Sequence, residues 1–94
     1  MPAAAGGAAG NLGQTQVAIE NFSFTPATLT VSAGTTVTWT NHDNVQHTVT
    51  AADKSYDSGT IDTGGTFSHQ FTTPGTYAYH CSIHPTMMAQ IIVK

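Results

Sequence analysis

The sequence predicts an all-β domain, a sandwich or barrel of seven to eight short strands. Three observations carry this reading. Apolar residues alternate with polar ones in segment after segment, the pattern of strands with one buried face. Gly and Pro punctuate those segments at turn positions such as Ala33-Gly34 and Pro74-Gly75. No stretch sustains a helical period; residues 51–57 offer one helical turn at most.

Taken in order, Val17 and Ile19 alternate with polar neighbours, and a break at Asn21, expected as a bulge, leads to Phe22 and Phe24 before Pro26 ends the segment. Leu29 and Val31 form a second face, followed by the turn at Ala33-Gly34. Val37 and Trp39 come next, on a strand whose other face is rich in Thr, a β-branched residue suited to a pleated surface. Residues 41–44 read as a loop. Val45, His47 and Val49 then share one strand face by period two, which directs the His47 side chain to the interior. Phe67, His69 and Phe71 repeat that pattern, as do Tyr77, Tyr79 and Cys81, and the chain closes on Ile91 and Val93. Trp39, Phe67, Phe71, Tyr77 and Tyr79 are expected in the core.

Organisation and charge narrow the function. Residues 1–14 are mostly Ala and Gly and read as a flexible lead-in, with the domain over 15–94. The lead-in lacks the charged start and apolar core of a secretory signal, and the favoured reading is a linker left after a signal or anchor is removed. Five acidic against two basic residues, net charge −3, leave no basic patch for nucleic acid. No apolar run approaches the ~20 residues that span a bilayer. A single cysteine, Cys81, forbids an intramolecular disulfide, so a metal is the staple open to so small a domain.

The chemistry-bearing segment is Cys81-Ser82-Ile83-His84-Pro85-Thr86-Met87-Met88. It places a thiol, an imidazole and a thioether at the end of one strand. Thiolate and thioether are soft donors that select copper, and imidazole serves both copper oxidation states. One loop cannot surround a metal, and His47 is the best candidate for a donor from elsewhere. The expected site is a His₂Cys trigonal plane of His47, Cys81 and His84 with Met87 as a weak axial ligand, the geometry of copper electron-transfer centres. Met88, or no protein group, is the competing axial choice. His42, His69 and His80 are read as a solvated loop residue, a partly buried strand residue and a residue facing away from Cys81. Asp53, Asp57 and Asp62 are read as solvated turn residues.

These residues sit in a wider pattern: Asn21-Phe22-Ser23-Phe24 with Pro26, Val31-x-x-Gly34-x-x-Val37-x-Trp39-x-Asn41, His47-Thr48-Val49, Asp57-Ser58-Gly59, Phe67-x-x-x-Phe71, Pro74-Gly75-Thr76-Tyr77 and Tyr79-His80-Cys81-x-x-His84-Pro85-x-Met87. Over residues 15–94 the pattern resembles the plastocyanin/amicyanin family of cupredoxins, and its short Cys-x-x-His-x-x-Met spacing is similar to amicyanin. The resemblance implies a Greek-key β-sandwich, one type 1 copper ion, a monomer, a periplasmic or other extracytoplasmic setting, and redox partner proteins that dock around His84. Thr48 stands where several relatives carry an Asn that braces the cysteine loop, and Ala89 where relatives have Gly. The expected function is one-electron transfer without enzymatic activity. Copper storage or delivery, and small-molecule redox chemistry at an open axial position, are the alternatives.

Overall fold

The computed structural model describes residues 15–94; the lead-in expected over 1–14 lies outside the described residues. Eight strands are present: β1 (Gln16–Glu20), β2 (Ser23–Thr25), β3 (Thr28–Val31), β4 (Thr35–Asn41), β5 (Thr50–Ala51), β6 (Thr66–Phe71), β7 (Gly75–His80) and β8 (Met88–Val93). They form two four-stranded sheets, ordered β2-β1-β4-β6 and β3-β8-β7-β5. Two pairings are parallel, β1 with β4 and β3 with β8, and the others antiparallel. Among the described residues no helix occurs, as the missing helical period predicts.

The alternation seen in the sequence is the alternation of burial. Val17, Ile19, Leu29, Val31, Val37, Trp39, Ile91 and Val93 all point between the sheets and are almost fully buried, each aliphatic side chain contributing about 1.5–3 kcal/mol. Trp39 is the centre of this layer. It lies beside Phe67 and Phe71 of β6 in its own sheet and beside Tyr56, and its edge-to-face contact with Tyr79 of β7 ties the two sheets together. Tyr56 and Ile61, on the long connection between β5 and β6, complete the core; the sequence reading placed neither there, because no alternation marks them. Burial pushes the phenols of Tyr79 and Tyr56 well above the ordinary tyrosine range.

Two expected elements take another form. Asn21 is not a bulge: Glu20 pairs with Ser23, leaving Asn21-Phe22 as a two-residue turn with φ of 55° and 56°, the signature of a type I′ hairpin. The expected strand through Val45, His47 and Val49 is a loop that makes one bridge, His47 with Ile61. The buried Asn41 amide donates to the carbonyls of Val45 and Ile61, so a side chain takes the Val45 carbonyl and shares the Ile61 carbonyl with the His47 N–H. His47 and Val49 remain buried as parity predicted, but Val45 turns outward and is 38% exposed.

Candidate metal centre

The cysteine loop is built to hold its shape. Cys81 directly follows β7 and is fully buried. Its N–H donates to the Met87 carbonyl (3.1 Å), and the Met87 N–H donates to the His84 carbonyl (2.9 Å). The loop is thus tied across its own mouth before β8 begins at Met88. His47 arrives from the opposite side, anchored by both hydrogen bonds of its bridge with Ile61.

The three expected donors meet. The Cys81 Sγ lies 3.7 Å from His47 Nδ1 and 3.9 Å from His84 Nδ1, and one ligand atom from each of the three residues lies within 4.8 Å of the others. Metal bonds of about 2.0 Å to imidazole and about 2.3 Å to thiolate, the lengths known for zinc, set at about 120°, put nitrogen and sulfur about 3.7 Å apart. The two sulfur–nitrogen separations are therefore those that a shared trigonal metal requires. His47 is fully buried, whereas His84 is half-buried at the rim. Met87 is 3% exposed and Met88 69%, which separates the two axial candidates. His42, His69 and His80 lie outside the cluster among the described residues. His69 stacks on Tyr56 at 4.3 Å, and burial lowers its pKa.

Thr48, standing where the resemblance offered an Asn, braces the cysteine loop. Its backbone N–H donates to Cys81 Sγ (3.3 Å), and its hydroxyl accepts the Ser82 N–H (2.8 Å). The same hydroxyl meets the Ser82 and Thr50 hydroxyls, each at 3.0 Å. The hydroxyl thus pins the residue after the cysteine, and a hydrogen bond to sulfur disperses thiolate charge.

Asp43 and Phe22 are the site residues that sequence reasoning missed. The His47 Nε2 is 2.8 Å from Asp43 Oδ2, and the Phe22 ring meets both His47 and His84 edge to face, at centroid distances of 5.5 Å and 5.1 Å. An acid four residues before a candidate ligand histidine was the available signal. Burial pushes the Asp43 carboxyl up, but hydrogen bonds from Phe22 N–H, His47 and Asn21 N–H prevail and hold it below the usual carboxylate range.

A β-sandwich that gathers one thiol sulfur and two imidazole nitrogens within 4.8 Å of one another, with a buried methionine in the same loop, defines the class of type 1 copper proteins. Residues 3–93 match the family model of the cupredoxin-like domain, and the chain belongs to that family. It is 32% identical over 87 residues to amicyanin-alpha of Methylorubrum extorquens, covering 87% of this chain and 73% of that protein. To the chloroplastic plastocyanin of Tetradesmus obliquus it is 33% identical over 84 residues, covering 76% of this chain and 58% of that protein. Among solved structures it is similar to a novel purple cupredoxin from Nitrosopumilus maritimus, with a TM-score of 0.82 at 32% identity, over 86% of this chain and 100% of that one. The chain is a small copper protein that carries single electrons.

Proposed function

We propose that His47 and His84, each through Nδ1, Cys81 through Sγ and Met87 through its sulfur hold one copper ion, and that electrons enter and leave along the exposed edge of His84. The observation that carries the ligand set is the mutual approach of the three donor atoms within 4.8 Å. Met87 is chosen over Met88 because it is buried in the loop whose mouth the Cys81–Met87 hydrogen bond closes.

Bound copper supplies the one-electron couple; the chain supplies a shape that does not change when the electron moves. Cu(I) and Cu(II) prefer different geometries, and a frame that holds compromise positions lowers the rearrangement accompanying each transfer. Here the frame is the His47–Ile61 bridge, the closed cysteine loop and the Thr48 brace. No separate acid–base group is required by such a step. We place the four exposed large hydrophobics, Phe22, Val45, Ile83 and Met88, in the surface that redox partner proteins touch around His84. All four lie in segments that carry or touch the candidate ligands, and the centre of a protein interface is depleted in charge and enriched in aromatic residues and Met. An extracytoplasmic monomer acting without enzymatic turnover is the setting we infer from the likeness to the amicyanin and the chloroplastic plastocyanin.

The test is one equivalent of Cu(II) added to the apoprotein, followed by visible absorption, EPR and voltammetry. An intense thiolate-to-copper band, lost in Cys81→Ser, and reversible one-electron cycling are expected. An ordinary weak d–d spectrum, or thiol oxidation without a stable band, would overturn the assignment. Rapid surrender of copper to a mild chelator would instead favour copper delivery.

A further inference from the structure

We propose that Asp43 is the positioning residue of this centre, its one carboxylate orienting His47 and, through the amides of Asn21 and Phe22, seating the Phe22 ring as the outer wall over both imidazoles. The proposal rests on the ligand reading above, but its first test does not need copper.

The carboxylate serves three donors. Oδ1 accepts the Asn21 N–H (2.7 Å), and Oδ2 accepts the Phe22 N–H (3.0 Å) while lying 2.8 Å from His47 Nε2. A carboxylate oxygen only accepts, so in a neutral imidazole the hydrogen must sit on Nε2. Nδ1 then carries the lone pair, and Nδ1 is the nitrogen that faces Cys81 Sγ. His47 is fully buried, and without Asp43 its Nε2–H would lose the hydrogen bond that favours this tautomer over the other.

The second half of the device is the hairpin turn. A bulky residue at positive φ is an outlier that persists only when its surroundings impose it. Phe22 holds φ of 56°, and the imposing contact is Asp43, which captures the amides of both turn residues from more than twenty positions away. Held there, Phe22 stays 54% exposed yet stands at 90° to His47 and 82° to His84. An exposed ring in a strained turn contributes little to the core. Its contacts explain its place: it covers the two imidazoles from the solvent side. Asp43 is itself fixed, since its N–H donates to Asn41 Oδ1 (2.9 Å) and its carbonyl accepts from Thr63 Oγ1 (2.7 Å). The orientation of His47 is thereby referred back to the end of β4.

The first test is the imidazole ¹⁵N NMR spectrum of the apoprotein. His47 is expected as the Nε2–H tautomer in the native chain and as a tautomer mixture in Asp43→Ala and Asp43→Asn; an unchanged single tautomer in both overturns the proposal. The second uses Phe22→Asn, which suits positive φ but removes the ring. Its apoprotein should be at least as stable thermally, while copper passes to a chelator about tenfold faster, the scale of outer-shell losses. Because both residues act through one wall, the Asp43→Ala/Phe22→Asn double variant should release copper no faster than about the faster single variant. Release at the product of the two single effects overturns the coupling. Asp43→Ala should also raise the reduction potential, since it removes negative charge that favours Cu(II), a tenfold bias reading as about 59 mV; an unchanged or lowered potential counts against it. A native chain that binds no copper would sink the functional reading and leave the apoprotein tautomer result to decide this one.

Discussion

Replacing Thr48 by valine isolates the brace on the cysteine loop. The substitution keeps shape and burial at a site that is 4% exposed and removes only the hydroxyl. Three contacts disappear: the bond accepted from Ser82 N–H and the meetings with the Ser82 and Thr50 hydroxyls. The two partner hydroxyls can turn to water or, for Thr50, to the Asp57 carboxylate, so their loss is small. The Ser82 amide has no such freedom. A partly buried donor left without its acceptor costs about 1–2 kcal/mol. For a domain of this size that is a fall of about 5–15 °C in melting temperature. The assay is thermal unfolding of the apoprotein, followed by the visible spectrum of the copper-loaded variant. The backbone hydrogen bond from Thr48 to Cys81 Sγ survives the change, so the charge-transfer band should persist with a modest shift. Thr48→Ser retains the hydroxyl and loses one methyl, about 0.8 kcal/mol, and should sit closer to the native protein. If the valine variant melts at the native temperature, or if serine and valine are equally harmful, the hydroxyl is not the brace.

Further outcomes follow from the same geometry. Met87→Leu, a swap of similar volume, should cost the apoprotein less than about 1.5 kcal/mol yet raise the reduction potential, because a donor to Cu(II) is lost; voltammetry beside apoprotein melting separates the two effects. Burial raises the Tyr56 and Tyr79 phenols in the folded chain, so between the ordinary tyrosine pKa of about 10 and the folded values the native state binds more protons than the unfolded one. Stability should therefore be intact below about pH 10 and fall as pH rises beyond it. The check is chemical denaturation against pH, with phenolate absorption of these two rings appearing only on unfolding. Copper in excess of its dissociation constant by about a thousandfold should stabilise the fold by about 4 kcal/mol, and chelation should return the melting curve to that of the apoprotein.

Much of this protein was legible one residue at a time. Alternation alone determined the class of fold and most of the core, because the period of a strand is a local property of the backbone and burial of every second residue leaves its mark on composition. Chemistry determined the metal: a thiol, an imidazole and a thioether within one short loop have few other uses, and the parity of His47 pointed it inward although its segment is a loop with a single bridge. Tertiary structure decided what local pattern cannot carry. It buries Met87 and exposes Met88, the difference on which the proposed axial donor rests. It gave Thr48 the bracing role by bringing Ser82 to its hydroxyl across thirty-four positions. It drew Asn21, Phe22 and Asp43 into one contact around His47, converting an expected bulge into a strained turn. Candidate ligands are picked out by residue type, which the chain states outright. Ligand orientation follows from hydrogen bonds between distant segments, and those exist only once the two sheets have closed on each other.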